Sequence, residues 1–172
     1  MTAKLGAFEI LTVAETIERD AVDFYRQAAR LFHDEELRKV LLLLADWEHK
    51  HEGVFIAIRK ELSQSLEEDG SFNVSSYMAT SPLVLNSLVW SATQSKSKHE
   101  FTGDESREEI LELAMNRERS TIRFYFNLME VVKDSISRSK IDEIIKEEKR
   151  HITILRRTLE QLRNPQSNIC GS

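Results

Sequence analysis

The stretch Glu18-Arg-Asp-Ala-Val-Asp-Phe-Tyr25, followed by Glu48-His-Lys-His51, decides the fold of this chain. Both elements return 100 residues later, as Glu118-Arg-Ser-Thr-Ile-Arg-Phe-Tyr125 and Glu148-Lys-Arg-His151. The match extends outside them, since Glu9, Ile10, Leu11, Ala14 and Arg19 recur at positions 109, 110, 111, 114 and 119. The chain therefore contains a duplicated unit, and each copy offers one lone glutamate and one Glu-x-x-His pair.

The duplicated unit supplies six candidate metal ligands. Two lone glutamates and two Glu-x-x-His pairs are the ligand inventory of a carboxylate-bridged dinuclear metal site in a four-helix bundle. Residues three apart project from the same side of a helix, so both members of each pair can point inward. The candidate ligands are Glu18, Glu48, His51, Glu118, Glu148 and His151.

Length and composition limit the class of protein. The 172 residues suit one domain spanning 1–172, and only 5 glycines and 2 prolines favour long helices. A net charge of −5 argues against nonspecific nucleic-acid binding. The single cysteine, Cys170, excludes an iron site held by four thiolates of this chain. No signal-peptide core or membrane-length apolar stretch is present, so we expect a cytoplasmic protein with no membrane partner.

The periodicity of apolar residues predicts an all-α protein with helices at ~4–33, ~35–64, ~107–133 and ~136–163. Asp34 suits the N-cap of the second helix, and Ser106 with Glu109 suits a capping box opening the third. Short links predict two antiparallel hairpins, which place all six ligands at one depth. A crossover at ~65–106, containing a short helix after Ser81-Pro82, would join the hairpins, and residues ~165–172 would form a loose tail.

The charge of the candidate ligands suits two divalent ions. Four carboxylates carry −4 and two divalent ions carry +4, so the filled site would be neutral. Mixed carboxylate and imidazole ligands favour iron or manganese, and two glutamates could bridge metals roughly 3.5–4 Å apart. Tyr25 and Tyr125 lie seven residues beyond the lone glutamates and could hydrogen-bond a ligand carboxylate. Packing as core aromatics with a satisfied hydroxyl explains the tyrosines nearly as well.

The quoted elements resemble the ferritin-like di-iron carboxylate superfamily, and their residue sequence is most similar to its rubrerythrin branch. The resemblance covers residues 5–163 apart from the linker. It implies a ferritin-like four-helix bundle, six ligands at the positions named above, and two iron ions, with manganese or mixed metals as alternatives. It also implies oxidation of Fe(II) by hydrogen peroxide or oxygen, a role in oxidative stress, and a homodimer.

Two departures from the rubrerythrin pattern alter what the resemblance implies. Rubrerythrins usually carry a rubredoxin domain with four cysteines. This sequence has a single cysteine, so we expect a separate electron donor. Rubrerythrins also carry an extra glutamate one turn from the lone glutamate of the third helix. Around Glu118 the corresponding positions are not acidic, but Glu15 lies one turn before Glu18. Glu15 is either an additional ligand or an exposed helix glutamate.

The sequence thus leads to one hypothesis and two rivals. The first is a rubrerythrin-like di-iron oxidoreductase that reduces peroxide or oxygen, with no catalytic residues beyond the metal ligands. The second is a ferroxidase or iron-storage protein, which differs by assembling into a shell. The third is a non-catalytic helical bundle that binds metal structurally or serves as an interaction module.

Overall fold

Four long helices account for nearly all of residues 2–67 and 101–164, which a computed structural model of the protein describes. The helices are α1 (Thr2–Leu31), α2 (Glu35–Glu67), α3 (Arg107–Val131) and α4 (Ser135–Arg163). The observed ends differ from the predicted ends by at most three residues. The all-α prediction is confirmed for the described part of the chain.

Polar side chains cap three of these helices, two of them at the residues that the sequence suggests. The Asp34 carboxylate accepts a hydrogen bond of 3.0 Å from the backbone N–H of Leu37. Asp134 accepts one of 2.7 Å from the backbone N–H of Ser137. Ser106 and Glu109 form the predicted capping box at the start of α3. Each cap satisfies backbone donors that a helix start otherwise leaves unpaired.

The helices form two hairpins, α1–α2 and α3–α4, each closed by a link of three residues, 32–34 and 132–134. Helix α1 packs against α2 and α3, and α4 packs against α3 and α2. The end of α1 and the start of α3 belong to the same apolar cluster, so these neighbours are antiparallel. Every neighbouring pair in the bundle is therefore antiparallel.

The core consists of two apolar clusters with the candidate ligands between them. Cluster A lies near the α1–α2 link and includes Tyr25, Leu41, Leu44, Leu111 and Leu155. Cluster B lies near the α3–α4 link and includes Leu11, Phe55, Tyr125, Leu128 and Ile141. Along every helix, the ligand positions fall between residues of the two clusters. The bundle thus places its polar interior at mid-height with apolar packing above and below.

The two ends of the predicted crossover lie at opposite ends of the bundle. Leu62, near the end of α2, packs against cluster B, and Phe101 packs against cluster A. The predicted short helix after Ser81 and the predicted tail at 165–172 fall outside the described residues. None of the helices in the described ranges is long and apolar enough to cross a membrane.

Candidate metal centre

The six predicted ligands converge at the middle of the bundle as two overlapping groups of four. Within each group, one potential ligand atom per residue lies within 4.8 Å of the others. Glu48 and Glu148 belong to both groups. The first group is Glu18, Glu48, His51 and Glu148, and the second is Glu48, Glu118, Glu148 and His151.

The two shared glutamates each direct one oxygen toward each histidine. For Glu48, Oε2 lies 3.2 Å from His51 Nδ1 and Oε1 lies 3.0 Å from His151 Nδ1. For Glu148, Oε1 lies 3.1 Å from His51 Nδ1 and Oε2 lies 2.9 Å from His151 Nδ1. Both carboxylates therefore span the two groups, as carboxylates that bridge two metal ions would.

Burial makes this arrangement costly without a cation. Each of the six residues is at most 4% exposed. Among the described residues, four of their buried atoms have no hydrogen-bond partner, namely Glu18 Oε2, Glu48 Oε1, Glu148 Oε2 and His151 Nδ1. His151 Nδ1 lies close to one carboxylate oxygen of Glu48 and one of Glu148 but forms a hydrogen bond with neither. Buried oxygen and nitrogen atoms that lack a hydrogen-bond partner are suited to act as metal ligands.

The protein's own groups shift the pKa values across the cluster. Burial raises the pKa of Glu18 and Glu118 well above the ordinary value, and the nearby charges of Glu148 and Glu48 raise it further. Burial also acts on Glu148, but the adjacent imidazoles of His151 and His51 outweigh it and lower its pKa to about 2. Two of the carboxyls therefore favour a proton, while Glu148 strongly favours its charged form.

The histidines shift in the opposite direction from that expected for burial alone. Burial disfavours the imidazolium form of both rings, but the adjacent Glu148 and Glu48 carboxylates outweigh it. The pKa of His51 rises to about 12 and that of His151 to about 9. A divalent cation entering the cluster would have to displace these protons, because coordinating imidazole is neutral.

The two tyrosines hydrogen-bond to lone glutamates, each in the opposite copy of the duplicated unit. The Tyr25 hydroxyl donates to Glu118 Oε1, and the Tyr125 hydroxyl donates to Glu18 Oε1. Burial first, and the accepting carboxylate next, raises the pKa of each phenol well above its usual value. Both phenols therefore remain donors, and they tie the two hairpins together across the site.

Glu15 is not the exposed helix glutamate that one of the two alternatives from the sequence describes. Its side chain is 7% exposed, so it is not an exposed helix glutamate. It also lies outside both ligand groups, because its two oxygens accept hydrogen bonds from Nε and Nη2 of Arg59. The structure thus gives Glu15 an ion-pair partner on α2, and a ligand role for Glu15 stays a prediction without support from this geometry.

Two contacts beside the histidines were not predicted from the sequence. Glu147 on α4 contacts His51 on α2, and Trp47 on α2 stacks on His151 on α4. Each contact joins residues about 100 positions apart, so periodicity within one helix does not reveal it. The one feature of the sequence that could have indicated these contacts is that each residue directly precedes a shared glutamate.

Comparison with known proteins agrees with the fold and with this type of site. Residues 9–88 match the family described as Rubrerythrin. A crystal structure of a ferritin-like diiron-carboxylate protein of Thermotoga maritima superposes with a TM-score of 0.64 at 23% identity, covering 90% of this chain and 95% of that one. At this identity the likeness establishes the fold alone.

A second relative is larger than this chain. The "Ferritin-like-encapsulin shell fusion protein" of Pyrococcus furiosus is 42% identical over 66 residues, which is 37% of this chain. The matched part spans 19% of that protein's length.

Fold and site together define a ferritin-like four-helix bundle with a buried cluster of carboxylates and histidines that could hold metal ions. The match of residues 9–88 to the Rubrerythrin family agrees with the resemblance found in the sequence.

Proposed function

We propose that this chain is a di-iron oxidoreductase that oxidises a diferrous site with hydrogen peroxide or oxygen, peroxide being the preferred oxidant. The observation that supports this proposal best is the placement of Glu48 and Glu148, each with one oxygen toward each histidine. A dinuclear site needs such shared ligands, and two separate mononuclear sites do not.

The donor set fits two iron ions. Four carboxylates and two imidazoles are hard and intermediate ligands of the kind that iron and manganese prefer. Two divalent ions would neutralise the four carboxylates and could bind the four buried atoms that lack a hydrogen-bond partner. Two ferrous ions, when bound, would supply the two electrons that convert peroxide and two protons into two molecules of water.

The protein's contribution in this proposal is to hold the ligands and to exclude water. Tyr25 and Tyr125 fix the lone glutamates through their hydroxyls, and Oε2 of Glu18 stays without a hydrogen-bond partner among the described residues. Clusters A and B close the site at both ends with apolar side chains. A separate donor would return electrons to the site, and a cytoplasmic homodimer is part of the same proposal.

Anaerobic Fe(II) titration of the metal-free protein, followed by mixing with peroxide or with oxygen, tests the proposal. We expect saturation at two iron ions per chain and a near-ultraviolet absorbance that develops faster with peroxide. Glu143→Gln is a matched control, because Glu143 is an exposed glutamate on α4 outside the site. Absence of stoichiometric binding would contradict the proposal, and binding without a response to either oxidant would favour a structural metal site.

Ferroxidase activity linked to iron storage is the second candidate, and the Pyrococcus furiosus relative favours it. In that protein a ferritin-like part is fused to an encapsulin shell, and this chain shares 42% identity with it over 66 residues. Preference for oxygen over peroxide, or continued uptake far beyond two iron ions per chain, would support this candidate. A dimer by solution mass would exclude a cage built by this chain alone.

A further inference from the structure

Positions 47 and 147 are equivalent in the duplicated unit but hold chemically different residues, Trp47 and Glu147. Each contacts the candidate histidine ligand of the opposite copy. Glu147 Oε2 lies 2.7 Å from Nε2 of His51. The Trp47 ring stacks on His151 with a centroid distance of 5.1 Å and an interplanar angle of 4°. The duplication has therefore preserved the two histidines and changed what supports each one.

The contact with Glu147 determines which nitrogen of His51 is free for the site. An N–H on Nε2 donates to the Glu147 carboxylate, which leaves Nδ1, the nitrogen beside Glu48 and Glu148, to bind a metal ion once its proton is displaced. A carboxylate on the outer nitrogen orients the ring and strengthens imidazole as a metal ligand. The other oxygen of Glu147, Oε1, lies 4.0 Å from the guanidinium of Arg150 at the surface of α4.

Trp47 cannot provide the same support to His151. An indole ring has one N–H donor and no acceptor, so it cannot receive a proton from imidazole. Flat stacking instead restrains the plane of the His151 ring through contact with its face. This contact positions the ring by packing and adds none of the ligand strength that a carboxylate confers.

We infer that the two metal positions of this site are inequivalent, and that Glu147 is the positioning residue that makes the His51 position bind more tightly. The inference rests on the proposed dinuclear site. The first position uses Glu18 and His51, the second uses Glu118 and His151, and both share Glu48 and Glu148. Since the ligands are matched pairwise, a difference between the positions must come from the residues around them, and Glu147 and Trp47 are the ones that contact the histidines.

Anaerobic Co²⁺ titration of the metal-free full chain, followed by visible absorbance and by calorimetry, tests this inference without any turnover. For the unaltered protein we expect two ions per chain, bound in two resolved steps with different spectra. Glu147→Ala should weaken the tighter step by about 10- to 100-fold, because outer partners of histidine ligands typically contribute that much. Glu147→Gln should weaken it less, since an amide oxygen still accepts the hydrogen bond.

Variants at the equivalent position and on the same helix serve as controls. Trp47→Phe keeps an aromatic face on His151 and should leave the tighter step unchanged, and Glu143→Gln should leave both steps unchanged. Two identical steps in the unaltered protein, or a Glu147→Ala titration that matches Glu143→Gln, would overturn the inference. Failure of the unaltered protein to bind two ions would instead overturn the proposed dinuclear site, so the two failures are distinguishable.

Discussion

The two hairpins carry matching ligands but differ in the polarity of what surrounds them. In α1–α2, Glu15 pairs with Arg59, and Arg19 donates to Glu52 at 2.8 Å. The positions equivalent to Glu15 and Arg59 in α3–α4 are Met115 and Leu159, both buried in cluster A. Ligand geometry has thus been kept in both copies, while an ion pair and an apolar pair occupy equivalent places beside it.

Only the ligands at the shared centre need to match between the two copies. The glutamates and histidines must meet at one depth, and the distances between them are nearly the same in the two copies. The residues one turn away only need to be satisfied, either by pairing their charges or by packing. Substitutions at the ligands should therefore affect both hairpins alike, and substitutions one turn away should affect them differently.

The largest effect is expected at the two shared glutamates, where the hairpins should behave alike. Glu48→Ala and Glu148→Ala each remove one oxygen from both ligand groups, so each should abolish two-ion binding and the absorbance formed on mixing with peroxide. Anaerobic Fe(II) titration followed by stopped-flow absorbance measures both. Retention of binding and rate in both variants would show that the ligand assignment is wrong, and retention in only one would show that the hairpins contribute unequally.

The histidines should reveal a difference between the hairpins when pH is raised on metal-free protein. Both have a pKa raised above about 6.5, the unfolded value, so their contribution to stability is present below that pH and is lost as pH rises. His151 should lose its proton near pH 9 and His51 only near pH 12. Glu18 and Glu118 shift in the same direction and add to the loss.

Urea unfolding at a series of pH values, with a chelator present, measures this effect. Between pH 6.5 and 9, each histidine should lower the free energy of unfolding by up to about 1.4 kcal/mol per pH unit. Imidazole NMR signals, assigned with His51→Gln and His151→Gln, should show that His151 titrates first. Titration of both rings near pH 6.5, or stability that rises over this interval, would contradict the prediction.

Much of this site could be predicted because its ligands repeat at helical spacing within single helices. Glu48 and His51 lie on one face wherever that helix packs, and the short link at 32–34 brings Glu18 to the same level. Contacts between helices could not be predicted in this way. Tyr25 donates to Glu118 and not to Glu18 of its own copy, because α1 and α3 are antiparallel neighbours.

The same reasoning explains why Glu15 could not be interpreted from the sequence alone. Its partner Arg59 lies 44 residues away on another helix, and helical spacing around Glu18 contains no information about it. The spacing placed Glu15 near the ligands, which made a ligand role plausible. Only the packing of α1 on α2 reveals a cation that accounts for its burial.

A smaller effect is expected when the ion pair of the first hairpin is replaced by the residues of the second. Glu15→Met leaves Arg59 without its partner and should lower the free energy of unfolding by about 1–3 kcal/mol. Combining it with Arg59→Leu should recover most of the loss, since an apolar pair can replace a largely buried ion pair at little cost. Urea unfolding of the single and double variants measures both.

The same variants test the ligand hypothesis for Glu15. If Glu15 is only an ion-pair partner, the double variant should bind two iron ions and react with peroxide at the rate of the unaltered protein. Loss of one ion in the double variant, despite recovered stability, would instead make Glu15 a ligand and give the first hairpin an additional role in the site.

The smallest effects are expected at the helix caps, where the hairpins again differ. Asp34 and Asp134 occupy equivalent N-cap positions, but Asp34 also accepts a hydrogen bond of 2.7 Å from Arg107 on α3. Asp34→Ala should therefore lower the thermal unfolding midpoint more than Asp134→Ala, and both should lower it less than Glu15→Met. In an Arg107→Ala background the two alanine variants should become equal, because the extra contact is gone. An unequal effect that persists in that background would place the difference in the caps themselves and not in the contact between the hairpins.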